Sequence, residues 1–207
     1  MPNDDLNIAE KRDLVIQAGI QIIPYVGGSL CTLYFGTKQE KRFKRLESFY
    51  AELAEDLKLI KGAIPPIEEH DAPLLEAIME SLHDKVESEP TLEKRRLFKN
   101  YLINTLQYPE SANFDERKYF LDTLDDMTVL ECEVLMLVST SAPLEIREIR
   151  VHQTEQYAII GSIGRLKSRG FVFSIQNNFE IGIDNSLHET AHISSFGQRF
   201  HSFCLET

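Results

Sequence analysis

Near the C-terminus, His188-Glu189-Thr190-Ala191-His192 is the arrangement in this sequence best able to break a bond. On a helix, histidines four apart share a face and can hold Zn²⁺ together, while the glutamate polarises a metal-bound water. The chemistry would be zinc-dependent hydrolysis, and it needs a third ligand. Ser195 and Gln198 stand where a glycine and a third histidine would extend the motif, and Glu206 is the carboxylate that remains downstream. Fifteen residues after His192 are too few for a ligand helix and a substrate cleft. A second pair, His201 and Cys204, would close a structural zinc site with His188 and His192. Cys204, among Phe200, Phe203 and Leu205, reads instead as a small buried thiol. No metal and no cofactor is expected.

Other chemistry is missing from the pattern. There is no P-loop and no G-x-G-x-x-G, and Gly161 and Gly164 read as glycines that permit close helix packing. Ser139, Ser141 and Ser194 lack the glycines of a nucleophile elbow. Glu68–Glu69 and Asp125–Asp126 read as solvated, and Lys94, Arg95 and Arg96 as an exposed helix face paired with nearby glutamates. The sequence therefore predicts a protein that is not an enzyme.

The elements that would position these residues are mostly helices. Phe43, Leu46, Tyr50, Leu53, Leu57, Ile60 and Ile64 recur in steps of three and four, an a/d seam over three heptads. The seam predicts a helix that either joins copies of the chain as a coiled coil or packs within a bundle. "GAIPP" (62–66) ends it. Asp71 is a cap for a helix over 71–87, with Pro73 in its first turn and Leu75, Ile78, Met79, Leu82 and Val86 inward. Another follows over 91–107, with Leu97, Phe98, Tyr101, Leu102 and Leu106 inward. Asn113 with Glu116 opens a third over 113–125, ending in Phe120, Leu121 and Leu124. With a helical hairpin over 7–60, residues 1–125 form an all-helical domain. The fold class is mainly α, a helical bundle followed by a smaller α+β domain.

The hairpin includes an uncharged stretch, 14–37, followed by the basic run "KQEKRFKR". Its length would suit a membrane span. Gln17, Gln21, Pro24, Gly27 and Gly28 favour a buried helical hairpin instead, and membrane association is not expected. The charged opening "MPNDDLNIAEKRD" lacks the apolar core of a secretory leader. Three scattered cysteines among 207 residues, Cys31, Cys132 and Cys204, fit a reducing, cytoplasmic setting. A net charge of −11 favours solubility and disfavours generic nucleic-acid binding.

The texture changes at Thr128 and Glu131, which make a capping box. A helix follows, then the ambiguous "APLEIREIR". A second helix is marked by Ile159, Ile160, Ile163 and Leu166 and stops at Gly170. Phe171, Phe173 and Ile175 then alternate as a strand. This order resembles the winged-helix fold over about residues 126–207. "IIGSIGRLKSRGFVF" looks like its recognition helix entering the first wing strand, and "ISSFGQRF" is similar to the L-T-x-x-G-x-x-F that leaves the second. The resemblance implies a surface for DNA or for protein, and it lays His188–His192 on the wing and its return strand. DNA contact would fall to Arg147, Arg150, Arg165, Lys167 and Arg169. Against it stand the acidic wing (Glu180, Asp184, Glu189) and Glu155 and Gln156 at the helix start that would enter the groove. The reading is a non-enzymatic adaptor that self-associates or docks a protein partner through the seam (Phe43, Leu46, Tyr50, Leu53, Leu57, Ile60), with the C-terminal domain as a second interaction surface. The alternative is a DNA-binding transcriptional regulator.

Overall fold

The three-and-four spacing produces a helix, α1, over Gln39–Leu59. In this computed structural model the described residues are 39–60, 64–66, 69–109, 114–141, 143–176 and 185–206. The hairpin partner of α1 and the uncharged stretch 14–37 lie outside them, as does Asn113 of the expected capping box. The chain divides into two compact units, 1–121 and 122–207, a few residues from the boundary the sequence predicts. The fold is mainly α, as expected, with one small antiparallel sheet towards the C-terminus. No described helix is long and apolar enough to cross a membrane.

In the first unit α1 packs with α2 (Ala72–Ser88) and α3 (Leu92–Gln107). Asp71 caps α2, its side chain accepting from the Leu74 N–H at 3.2 Å. Pro73 sits harmlessly in the first turn, where its missing N–H would have had no partner. The five apolar residues assigned inward on α2 are all buried. Arg45 of α1 donates to the Glu87 carbonyl at 2.8 Å, satisfying an end of α2 that has no further turn to bond to. On the outer side, Lys99 of α3 lies 2.7 Å from Asp56 of α1.

The seam is buried inside the chain. Leu46, Tyr50, Leu53 and Leu57 are all at most 3% exposed, and Phe49, which the heptad reading passed over, is buried with them. Tyr50 hydrogen-bonds His83 of α2, and burial holds its hydroxyl protonated well above the usual tyrosine range. Ile60 falls in the turn after α1, and the Phe43 side chain lies outside the described residues. The expectation that this seam docks a partner or a second copy is therefore corrected: its central positions are taken by the chain's own helices. A three-heptad apolar face suits either use, and here two neighbouring helices reach it first.

On the expected basic face of α3, Arg96 is exposed and Arg95 half-buried, but Lys94 needs correction. Lys94 is buried, 3.6 Å from Glu89, with its ammonium 5.9 Å from the centre of the Phe98 ring. Long lysine stems can be covered by apolar neighbours while the charge stays paired. Helix α4 (Phe114–Asp126) spans the division between units, with Phe120, Leu121 and Leu124 buried. Arg117 caps the end of α3 by donating to the Thr105 carbonyl at 3.2 Å and to the Tyr108 carbonyl.

In the second unit the end of α4 is followed by α5 (Val129–Ser141), opened by the expected capping box. The Thr128 N–H donates to Glu131 at 2.7 Å, and the Glu131 N–H donates to the Thr128 hydroxyl at 3.2 Å. The ambiguous "APLEIREIR" becomes a two-residue strand β1 (Leu144–Glu145) and a 3₁₀ turn over Ile146–Glu148. Helix α6 (Gln156–Ser168) packs on α5. Strand β2 (Val172–Gln176), a 3₁₀ turn over Asn185–His188 and strand β3 (Glu189–Ile193) follow. Helix α7 (Ser195–Phe200) continues into a π-helical turn over His201–Leu205. The sheet order is β1-β3-β2, antiparallel throughout, with Ala191 of the central strand fully buried.

Two glycines hold this unit together, neither in the way Gly161 and Gly164 were expected to. No backbone or side chain crowds those two positions: a Cβ on Gly164 would meet nothing within 4 Å, and one on Gly161 only the Arg165 side chain at 3.9 Å. Gly170 (φ 75°) instead ends α6 in a Schellman turn, in which Gly170 N–H bonds Lys167 O and Phe171 N–H bonds Leu166 O, both at 3.0 Å. Gly197 lets α7 sit directly on the Phe171 backbone.

Candidate interaction surface

Helix α6 and the β2–β3 hairpin carry the residues that the sequence singles out in this unit. The apolar phase of β2 is the first difference. Phe171 lies before the strand, fully buried and stacked on Phe200 at 4.4 Å. Within the strand Val172 points into the unit at 3% exposed, so the next phase, Phe173 and Ile175, points out. They are 48% and 47% exposed. Strand alternation and register place their partners, His192 opposite Phe173 and Thr190 opposite Ile175, on the same outer face. His192 stacks flat on Phe173, with ring centres 5.1 Å apart and planes 10° from parallel. The outer face thus presents two half-exposed apolar residues, Phe173 and Ile175, beside His192, Thr190 and, through the β1 register, Glu145.

The inner phase of the same strands is apolar at Val172 and Ala191 and carries an ion pair beyond them. Lys167 of α6 reaches Glu189 at 2.9 Å and the Ser174 hydroxyl at 2.6 Å, and Ser174 donates to Glu189 in turn. Glu189 and His192, three apart in a strand, therefore face opposite sides of the sheet. His188 ends the 3₁₀ turn, and four residues of strand would span about 13 Å, too far for two imidazoles on one zinc ion. His201 and Cys204 lie buried in the terminal helical turn. Burial pushes the Cys204 thiol up, helped by nearby Cys132, which opposes the thiolate a metal needs. Burial likewise pulls His201 down, against the opposing pull of Glu206. Among the described residues no three His, Cys, Asp or Glu side chains gather as a metal site. Both zinc alternatives, the hydrolase through His188-Glu189-His192 and the structural site with His201 and Cys204, lose their geometry here.

The five cations proposed for DNA contact are drawn to groups of their own unit. Arg165 and Arg169 converge on one oxygen of Glu131, at 2.6 and 2.7 Å. Lys167 has Glu189, and Arg147 lies 2.6 Å from Glu145. Arg150 donates to the carbonyls of Arg147 and Ile149 and to Gln156. Sequence spacing shows the basic residues of α6 but not the acids that meet them, because Glu131 and Glu189 come from other elements.

Glu131 is the centre of this arrangement, only 1% exposed. Burial pushes its carboxyl up, but the Thr128 N–H, the Arg165 and Arg169 guanidiniums and the Thr128 hydroxyl together outweigh it and hold the group down to about 2, against an ordinary 4.5. A depressed folded-state value stabilises the fold above the unfolded value, and that stabilisation is lost as pH falls from about 4.5 towards 2. Glu131→Gln is expected to cost about 2–3 kcal/mol at neutral pH. The measurement is urea unfolding of the full chain, with amide exchange in α5 and α6 marking this unit. Between pH 4.5 and 2 the difference from wild type should shrink; a constant difference would mean the ionised carboxylate is not what stabilises.

Comparison with protein-family models, with curated proteins and with solved structures finds no match to this chain.

Proposed function

We propose that this chain is a non-enzymatic adaptor or regulatory protein whose C-terminal unit binds protein rather than nucleic acid. One observation carries the reading. Four of the five cations that would read phosphate lie within 2.9 Å of carboxylates of the same unit, while the neighbouring sheet face presents half-exposed Phe173 and Ile175. A DNA-binding surface gains its affinity from cations that exchange counterions for phosphates, and each internal pair must be broken first. Exposed apolar and aromatic residues beside a neutralised rim are what a protein partner buries.

The winged-helix resemblance has support in the order of elements: helix, short strand, 3₁₀ turn, helix, then two antiparallel strands, with the first strand against the last. That order also supports the second reading, a DNA-binding regulator, since Arg165 keeps half of its side chain exposed. Titration with random-sequence duplex at ~150 mM salt separates them. The expected result is no binding tighter than the ordinary nonspecific range of ~10⁻⁴ to 10⁻⁶ M. Tight binding that falls steeply with salt and disappears in Arg165→Ala, where Arg169 still holds Glu131, would reverse the order of the two.

A further inference from the structure

Among the described residues strand β2 is an edge, and its own sequence carries none of the usual protection. Natural sheets blunt an open edge with lysine, proline, a bulge or an inward charge, because unpaired backbone groups there recruit another strand. Val172–Gln176 contains none of those residues. The uncharged run extends further, from Gly170 to Phe179, in a chain whose net charge is −11. Two acidic copies repel over much of their surface, and this stretch lets them meet through residues that carry no charge, while the Lys167 and Glu189 that bond Ser174 are already paired with each other.

The backbone phase is also fixed. The Ser194 N–H donates to the Phe171 carbonyl at 2.9 Å, so Phe171 directs its backbone groups towards the β3 side. In an antiparallel ladder these directions alternate along the strand. Phe173 and Ile175 then bond towards β3, while Val172 and Ser174 turn theirs to the outer edge. Among the described residues no strand pairs with that edge.

We propose that two copies of this chain join through β2, antiparallel about a two-fold axis at Ser174, making one six-stranded sheet. The proposal rests on the reading of this unit as a protein-binding surface and names the occupant. With Ser174 opposite Ser174 of the second copy, the two exchange both backbone hydrogen bonds. The same register sets Phe173 opposite Ile175 of the second copy, twice over, so the exposed residues of one copy pack side by side with those of the other. Aromatic against β-branched is a favourable cross-strand pairing. The sequence is therefore self-complementary in the one register that a two-fold axis at Ser174 allows.

The test is light scattering on the full chain at ~50 μM, well above the dissociation constants of specific complexes. Wild type should have twice the 23.8 kDa chain mass. Phe173→Lys and Ile175→Glu change half-exposed side chains, so each should keep the wild-type circular dichroism and urea midpoint yet run as a monomer. Mixing the two variants should restore a dimer, because the introduced lysine of one chain then faces the introduced glutamate of the other, and the remaining Ile175–Phe173 pair is native. A monomeric wild type, a dimer that persists in both variants, or a mixture that stays monomeric overturns the proposal. A monomer that also ignores DNA leaves the proposed function standing, whereas tight salt-sensitive DNA binding by a β2-joined dimer would defeat that function and not this interface.

Discussion

Gly197→Ala is expected to unfold the C-terminal unit or to remove more than about 3 kcal/mol of its stability. A Cβ at this position would stand 2.1 Å from the Phe171 carbonyl oxygen and 2.8 Å from both its carbonyl carbon and its Cα. Those are backbone atoms, so no rotamer change relieves the clash. The Phe171 backbone cannot retreat cheaply either. Its carbonyl accepts the Ser194 N–H, its ring stacks on Phe200, and the Ser194 hydroxyl that caps α7 also donates to Gly170 O at 2.6 Å. Gly170→Ala is the matched control. There a Cβ meets nothing closer than 4.0 Å, and the cost is that of a left-handed backbone, about 1–2 kcal/mol. Urea unfolding with amide exchange in β2, β3 and α7 compares the two. Equal losses would mean α7 shifts freely away from Phe171 and the close approach is not structural.

Leu53→Asp should destroy the helical unit and not merely change its assembly. Leu53 is fully buried between Tyr50 and Leu57 on the face that α2 and α3 cover. An ionised carboxylate there, without a partner, costs several kcal/mol, on the order of the whole stability of a small unit. The expected observations are a large fall in helical circular dichroism and loss of amide protection across α1, α2 and α3. If the seam instead joined copies of the chain, the same substitution would leave a folded monomer with normal helicity. That outcome would restore the coiled-coil reading and withdraw the intramolecular one.

The seam itself was legible in the sequence, since a three-and-four period from Leu46 to Leu57 admits few structures other than a helix with one covered face. Asp71, Pro73, the Thr128–Glu131 capping box and the stop at Gly170 were legible for a related reason. Each acts on backbone groups within a turn or so of itself, so the information is local. The inward residues of α2 followed from those boundaries and from periodicity alone. The contact of Gly197 with Phe171 was not legible, because a lone glycine does not name the distant backbone it makes room for.

What the tertiary structure decided is which surface meets which. A periodic stripe does not say whether its partner is in the same chain, and only the packing of α2 and α3 shows that the seam is already covered. The basic residues of α6 looked available because Glu131 and Glu189, distant in sequence, could not be assigned to them. In β2 the stronger apolar phase, Phe173 and Ile175, would ordinarily face the core. It faces outward because the Schellman turn at Gly170 removes Phe171 from the strand and delivers Val172 to the interior. The histidines of His188-Glu189-Thr190-Ala191-His192 could be placed four apart by sequence, but a helix gathers that spacing onto one metal and a strand spreads it along a sheet. The backbone conformation that separates those two outcomes is set by pairing with β1 and β2, and pairing is a long-range property.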